Sequence, residues 1–267
     1  GADITATDIT NLNAKITGNI TFNSAVDING SGSEVKAAFD VIDSNGNATA
    51  NITGTDYTIA QLKAINNATA GEIVLATPTA NLSGEVADIV AAFAGTVTTN
   101  TGTITISDAG TTDIQATDIA TINTAITGAI TVSSAIDING SGADVAAAFT
   151  AIDTNTGNAT AHITGTDYTV AHLKTINDKT TGAIVLADAS ANLSGNSSDI
   201  VDAFAGTVTT HTGSVTITND DYTVAELKAI NNATSGAIVL NHAGVALSGS
   251  ATDVAAALAG TITTHTG

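Results

Sequence analysis

Internal repetition is the feature that most constrains this chain of 267 residues. The phrase Asp-Tyr-Thr-Ile-Ala-Gln-Leu-Lys-Ala-Ile-Asn begins at Asp56; close copies begin at Asp167 and Asp221, and weaker copies begin at Asp3 and Asp113. The starting points lie about 54 residues apart, a period that is typical of solenoids, in which each unit packs mainly on its neighbours. We therefore interpret the chain as one array of five repeats, at residues 1–55, 56–112, 113–166, 167–220 and 221–267.

Each repeat contains two halves of about 27 residues that follow one pattern. Two β-rich runs flank a turn, as in residues 236–240 and 245–248, and a helical segment follows at about residues 251–259. The turn has the length of a hairpin loop, so we expect the two runs to pair as a hairpin. The pattern predicts an α/β fold, an elongated solenoid of tandem strand–strand–helix units, and the alternation of the two halves favours 54 residues in each full turn.

Helix starts are marked by a hydroxyl residue followed three positions later by a residue that can complete a capping box. The pairs are Ser31/Glu34, Ser141/Asp144, Thr223/Glu226 and Ser250/Asp253. The pattern is unbroken at both ends of the chain, so we expect a segment of a longer array whose end surfaces can associate end to end.

Composition narrows the functional classes. The formal net charge is −19, with six Lys or Arg residues against 25 Asp or Glu residues, which argues against nucleic acid as a partner. The absence of Cys removes disulfides, thiolate metal sites and cysteine catalysis. No apolar run is long enough for membrane insertion, and no nucleophile or phosphate-binding motif is present, so we expect neither a membrane span nor an enzyme.

Calcium is the cofactor that the sequence favours most. Two turns place oxygen-bearing side chains close to a glycine, as at the opening of known calcium loops. These candidate ligands are Asp43, Asn45, Asn47, Asp153, Asn155 and Asn158, with Asp27 and Asp137 offering similar oxygens where a strand leads into a helix. Asp, Asn and Gly also form turns without any ion, and that interpretation stays open.

Histidine and threonine suggest two further interpretations. His211 and His265 occupy the same turn position one repeat apart, where Asn100 stands in an earlier copy, and we expect both to be exposed turn residues. Several strands carry threonine on alternate residues, which would present rows of hydroxyl groups if the strands stack in register; the pairs are Thr96/Thr98, Thr103/Thr105, Thr207/Thr209, Thr216/Thr218 and Thr261/Thr263. Val239 stands at one matching place, so we expect some rows to be interrupted.

The phrase from Asp221 to Gly236, together with Ala259–Thr264, resembles repeats in giant surface proteins of marine cyanobacteria, including the very large proteins implicated in swimming without flagella. The resemblance covers essentially the whole chain and implies display outside the cell, with calcium as a structural ion. The repeats at Asp3 and Asp113 depart from it by having Ile in place of Tyr.

Two functional hypotheses follow. The first is a structural, rod-like segment of a large secreted cell-surface protein, linked to motility or to a surface layer, with neighbouring repeats as its partners. The second is an adhesin-type binding module that uses a threonine-rich sheet face to hold ice, glycan or a protein. Uniform repetition favours the first hypothesis, because a binding patch would interrupt the repeat at one place.

Overall fold

The computed structural model describes residues 2–267 and shows a mixed α/β chain in which parallel sheets alternate with helices. The chain divides into two compact units. The first contains the residues up to Asp108 together with Asp118–Ser133 and Ile152–Thr156. The second contains Ala109–Thr117, Ser134–Ala151 and Gly157–Gly267.

Ten helices are found in the described residues, one in each half-repeat: α1 (Ala6–Asn13), α2 (Gly32–Phe39), α3 (Ile59–Ala68), α4 (Val86–Ala92), α5 (Ala116–Ala125), α6 (Gly142–Ala151), α7 (Val170–Asn177), α8 (Ser197–Ala203), α9 (Val224–Ala233) and α10 (Ala251–Ala257). The predicted caps are confirmed. Ser31 and Thr223 form complete capping boxes with Glu34 and Glu226. The Ser141 and Ser250 hydroxyls accept the backbone N–H of Asp144 and Asp253 at 3.1 Å.

The first unit contains two four-stranded sheets. Sheet I consists of β1 (Asp3–Thr5), β2 (Asp27–Gly30), β3 (Thr49–Ile52) and β4 (Ile73–Leu75), in that order. Sheet II consists of β5 (Leu82–Gly84), β6 (Ile104–Ile106), β8 (Ile130–Val132) and β10 (Thr154–Asn155), also in chain order.

The second unit contains one four-stranded sheet and one three-stranded sheet. Sheet III consists of β7 (Asp113–Gln115), β9 (Asp137–Gly140), β11 (Thr160–Ile163) and β12 (Ile184–Leu186). Sheet IV consists of β13 (Leu193–Gly195), β14 (Val215–Ile217) and β15 (Ile238–Leu240). In three of the sheets, one residue from further along the chain forms an isolated parallel bridge with the last strand. These bridges pair Ile73 with Val97, Ile184 with Val208 and Ile238 with Ile262.

The hairpin prediction is wrong. The strand pairs of these four sheets are all parallel, and the two strands of one half-repeat lie in different sheets, as β4 and β5 do. Each strand pairs with a strand that lies 22 to 26 residues earlier in the sequence. We call the stretch of chain that leads from one strand to its next partner a passage. A parallel pair needs a crossover of a dozen or more residues, and the intervening helix and loops provide it. The spacing between strand partners is therefore close to half of the 54 residues that the sequence favoured.

Each sheet ends after a few strands because strands and helices recur at different intervals. In sheet I the paired residues Ile28, Ala50 and Ile73 precede their next helix by four, nine and thirteen residues. The number of residues between a strand partner and the next helix thus increases along sheet I. Before α4 this segment is long enough to contain a second strand, β5, which begins sheet II.

The core is built from aliphatic residues on alternate strand positions and on one face of each helix. In β14 the side chains of Val215 and Ile217 are buried and Thr216 is half-buried, as the alternation predicts. Val224, Leu227 and Ile230 form the buried face of α9 at helical spacing. Small and β-branched side chains fill this thin interior, so it contains few aromatic residues.

Candidate functional site

The most regular polar feature is a contact between successive helices that we call the Lys–Asn clamp. It is formed by the Lys and the Asn of the repeated phrase Lys-x-x-Asn, and it joins α3 to α4, α7 to α8 and α9 to α10. The three pairs of residues are Lys63 and Asn66, Lys174 and Asn177, and Lys228 and Asn231.

In each clamp the lysine pairs with an aspartate in the first turn of the next helix, and the asparagine amide donates to a carbonyl near the end of that helix. Lys228 Nζ lies 2.8 Å from Asp253, and Asn231 Nδ2 lies 3.2 Å from the carbonyl of Ala256. The acidic partner also benefits from the positive end of the helix dipole. The Lys228 ammonium is the main cause that lowers the pKa of Asp253, and Ser250 adds to it.

The clamp at α7 has two carboxylates. Lys174 Nζ lies 2.6 Å from Asp199 and 2.7 Å from Asp202, and these two partners raise the pKa of the lysine. All of these side chains are at least one-third exposed, so solvent screens each ion pair and weakens its contribution to stability. The sequence repetition of Lys-x-x-Asn could have revealed the clamp, but its partners lie in another helix and no local pattern identifies them.

A shallow groove beside two of the clamps also recurs at equivalent positions. One groove, of about 350 Å³, contacts Lys174, Gly195 and Asp199. The other, of about 330 Å³, contacts the equivalent Lys228, Gly249 and Asp253. The same arrangement of Lys, Gly and Asp residues therefore occurs twice, and Thr175 and Asp178 line the first groove in addition.

The candidate calcium ligands Asp43 and Asp153 occupy equivalent places and bind backbone. Asp43 Oδ2 accepts the N–H of Ile20, and Asp153 Oδ2 accepts the N–H of Ile130, both at 2.9 Å. Each carboxylate thus satisfies a backbone donor of the preceding passage. Asp108 binds the first N–H of helix α4 in a similar way, at 2.8 Å from Val86 N.

The candidate asparagines shape the turns. Asn45 accepts the N–H of Asn47 at 2.9 Å and donates to the carbonyl of Ala68 at 2.5 Å. Asn47 and Asn158 adopt left-handed backbone conformations, with φ of 60° and 54°, which asparagine tolerates better than most residues. Asn155 lies in β10 and pairs with Val132 of β8. It is therefore part of a strand, whereas Asn158 has the left-handed backbone conformation.

The remaining candidates, Asp27 and Asp137, lie next to further acids. Asp27 is in register with Asp3, and Asp137 is in register with Asp113. Like charges on directly opposite residues of a sheet repel each other, and a cation between them would remove this repulsion. Asn139 Nδ2, at 3.2 Å from Asp113 Oδ1, already compensates part of the charge in the second pair.

No group of three or more His, Asp or Glu side chains that could hold a metal ion is found in residues 2–267. Asp43, Asp153 and Asn45 already accept backbone N–H groups, and calcium binding stays a prediction. Calcium at about 1 mM is expected to raise the melting temperature if carboxylate pairs such as Asp3/Asp27 hold the ion. Circular dichroism melts should show the shift in the wild type and lose it in Asp27→Asn, with magnesium as the control ion. An equal melting temperature with and without calcium would leave turn formation as the role of these residues.

The threonine pairs divide into two groups. Thr98, Thr209 and Thr263 accept backbone N–H groups of Leu75, Leu186 and Leu240 at 3.0 to 3.2 Å, so their hydroxyls join neighbouring passages. Thr105 belongs to an uninterrupted row of hydroxyl residues across sheet II, which consists of Ser83, Thr105, Thr131 and Thr154. The corresponding row in sheet IV is interrupted by Val239, as the sequence predicts.

The prediction for His211 is wrong, because its side chain is fully buried. Its Nε2 lies 2.8 Å from the carbonyl of Ala191, its Nδ1 lies 3.3 Å from Thr234 Oγ1, and its ring packs against Phe204 and Tyr168. Asn100 is also fully buried and donates to the equivalent carbonyl of Ala80 at 3.2 Å. The turn position is internal because the next passage of the chain covers it. His265, at the third equivalent position, is half-buried.

Burial is the main cause that lowers the pKa of His211, and the hydrogen bond to Ala191 opposes it. Burial also raises the pKa of the adjacent Tyr168 hydroxyl, so both groups are uncharged at neutral pH.

Among the described residues, no helix is long and apolar enough to span a membrane. Comparison of the chain with models of protein families, with curated proteins and with solved structures finds no match.

Proposed function

We propose that this chain is a structural segment of a large secreted cell-surface protein, in which tandem repeats stack as an elongated α/β solenoid and form part of a surface layer or of a motility apparatus. The observation that carries the proposal is the recurrence of one set of contacts between successive passages. The Lys–Asn clamp occurs three times, and the parallel register continues from strand to strand.

The chemistry of the polar residues supports a structural role. The Asp43, Asp153 and Asn45 side chains bind the backbone of a neighbouring passage, and the clamps join neighbouring helices. Contacts of this kind join each repeat to the next and recur along the chain. Such recurrence suits a repetitive extracellular array. Many acidic side chains keep such an array soluble and offer oxygens to calcium.

The proposal predicts that one whole repeat can be removed. Deletion of residues 167–220 places Asp221 where Asp167 stood, so the strand register and the repeated phrase continue across the junction. We expect a cooperative unfolding transition with unchanged helix content per residue and a lower urea midpoint, because a solenoid loses one unit and one interface. A control deletion of residues 167–206 breaks the register and should lower the urea midpoint more than removal of the whole repeat does, because the strands on either side of the junction can no longer pair. Equal urea midpoints for the two deletions would contradict the stacked arrangement.

The location requires a separate test on cells of the source organism. Antibodies raised against the chain should label intact cells, and mild external protease should remove the label. Label that is found only after the cells are opened would contradict display at the surface.

One observation favours a second candidate function, an adhesin-type binding module for ice, glycan or a protein. The row of Ser83, Thr105, Thr131 and Thr154 presents hydroxyl groups about 4.8 Å apart along sheet II. If this row binds ice, Thr131→Val should leave folding intact and change thermal hysteresis, whereas glycan binding would appear on a glycan array. The absence of both signals in the wild type would favour the structural role.

A further inference from the structure

A glycine follows the second helix of each Lys–Asn clamp. It stands three residues after the end of α4, α8 and α10, at Gly95, Gly206 and Gly260. None of these three glycines has a positive φ, so the backbone conformation does not require glycine there, and none ends its helix as a left-handed cap. The reason for the glycine therefore lies in the residues that surround it.

The missing side chain leaves room for the asparagine of the clamp. A Cβ atom added to Gly206 would lie 2.4 Å from Oδ1 of Asn177. Apart from the chain neighbours of the glycine, Asn177 is the only described residue within 4 Å of such an atom. The same close approach occurs in the other two clamps, at 2.3 Å for Gly95 with Asn66 and at 2.2 Å for Gly260 with Asn231.

The asparagine is held in this position by the next helix. Nδ2 of Asn177 donates to the carbonyl of Asp202 at 2.8 Å, and the ion pair between Lys174 and Asp199 joins the same two helices. Because the amide is planar, Oδ1 cannot leave the glycine unless Nδ2 leaves its carbonyl. A Cβ at the glycine would therefore break the hydrogen bond of the clamp.

Where a helix lacks the lysine, the next helix lacks the glycine too. Thr10 and Ala120 stand where the clamps have lysine, and Val41 and Ala151 stand at the place of the glycine. Helix α6 continues as far as Ala151, whereas α4, α8 and α10 end three residues before this place. The corresponding asparagine Asn123 is exposed, although the three clamp asparagines are half-buried. Lysine and glycine thus occur together or not at all.

We propose that the contact between the clamp asparagine and this glycine, which we call the Asn–Gly match, determines which half-repeats can stack on one another. A helix with Lys-x-x-Asn accepts a neighbour that has glycine at this place, because any side chain there displaces the amide. Half-repeats with Val41 or Ala151 fit behind helices that lack the lysine. The second, fourth and fifth repeats carry the match and the first and third do not, so the match encodes the order of repeat types.

This inference rests on the stacking of repeats that the proposed function assumes, and it is independent of location at a cell surface. The two can fail separately. Equal urea midpoints for the two repeat deletions would reject the stacking itself. The experiments below vary one contact inside an intact array, so a negative result would reject only the match.

The first test is a double-mutant cycle at α7 and α8. Gly206→Ala should lower the urea midpoint by about 0.3 M or more, because the clamp loses its hydrogen bond. Helix propensity alone predicts the opposite sign, since alanine favours helix more than glycine does. In the Asn177→Ala background, Gly206→Ala should no longer lower the midpoint, because its Cβ meets no amide. If Gly206→Ala alone does not fold, the double variant is still expected to fold.

The matched control is the same cycle in the repeat that lacks the match. Ala151→Gly should lower the midpoint through helix propensity, and by the same amount with and without Asn123→Ala, because Asn123 is exposed. Urea unfolding followed by circular dichroism measures both cycles. An effect of Gly206→Ala that is equal in the two backgrounds would overturn the proposal.

The second test exchanges a whole helix. Residues 197–206 are replaced by the ten residues 142–151, which place Asp144 where Asp199 stands, so Lys174 keeps a carboxylate partner. A second chimera carries the same segment but keeps Gly206. The chimera that keeps the glycine should have the higher urea midpoint, although helix propensity favours the one with alanine. Equal midpoints, or a higher midpoint without the glycine, would show that the match does not select stacking partners.

Discussion

Replacement of Gly236 by alanine is expected to lower the free energy of unfolding by about 3 kcal/mol or more. An alanine Cβ would lie 1.8 Å from the carbonyl oxygen of Gly213, and the neighbouring atoms are backbone of the preceding passage. No rotamer change can relieve this contact, so the two passages must separate and strain the parallel register of β14 and β15. Urea unfolding followed by circular dichroism measures the effect.

Gly18→Ala is the matched control, because Gly18 is the equivalent glycine of the first repeat and is open to solvent. At low protein concentration its free energy of unfolding should change by less than about 0.5 kcal/mol, or rise slightly because alanine restricts the unfolded chain. Gly128→Ala should behave as Gly236→Ala does, since its Cβ would lie 1.9 Å from the Gly102 carbonyl oxygen. Equal effects at Gly18 and Gly236 would show that close approach of the backbones is not the cause.

The second large effect is expected at His211. His211→Ala removes the donor to the Ala191 carbonyl and leaves a cavity beside Phe204, which should cost about 2 kcal/mol or more. His211→Asn should cost less, because Asn100 makes the corresponding hydrogen bond in the earlier copy. Urea unfolding at pH 8 compares the two variants, and an equal loss in both would argue against the hydrogen bond as the cause.

The same histidine should make stability depend on pH. Burial lowers the pKa of His211 from its usual 6.5, so the folded protein holds it uncharged and the unfolded chain takes up a proton first. Its contribution is present above about pH 6.5 and is lost as the pH falls below that value towards the lower pKa of the folded state. The groups around the ring are Tyr168, Phe204, Thr234 and the Ala191 carbonyl, none of which is charged in this range.

Urea midpoints of the wild type and of His211→Asn at pH 8 and pH 5 isolate this effect, because all other titrating groups are common to both proteins. The wild type should lose more stability than the variant between the two pH values. Parallel losses would assign the pH dependence to other residues.

Helix positions could be predicted from the sequence because capping is local. Ser31 with Glu34 and Thr223 with Glu226 interact across three residues, and the structure confirms both boxes. The buried positions of β14 and α9 were predictable for the same reason, since the spacing of apolar residues defines a face within one element.

The partners of the strands and of the polar residues could not be predicted in this way. Alternation along Val215–Ile217 is equally consistent with parallel and antiparallel pairing, and the short turn favoured a hairpin that does not form. His211 looked like an exposed turn residue because Tyr168, Ala191 and Thr234, which contact its ring, lie at least twenty residues away in the sequence. The Lys–Asn clamp was missed for the same reason, although its repetition was visible.

The sequence by itself determined the repeat length, the helix starts and which face of each strand and helix is apolar. The tertiary structure alone decided that strands pair in parallel with the preceding passage, that Asn100 and His211 are internal, and that glycines such as Gly236 lie against another backbone. The physical reason is the range of the interactions. Capping and amphipathic spacing act over three or four residues, whereas the contacts that select partners join residues more than twenty positions apart, and only the folded chain brings those residues together.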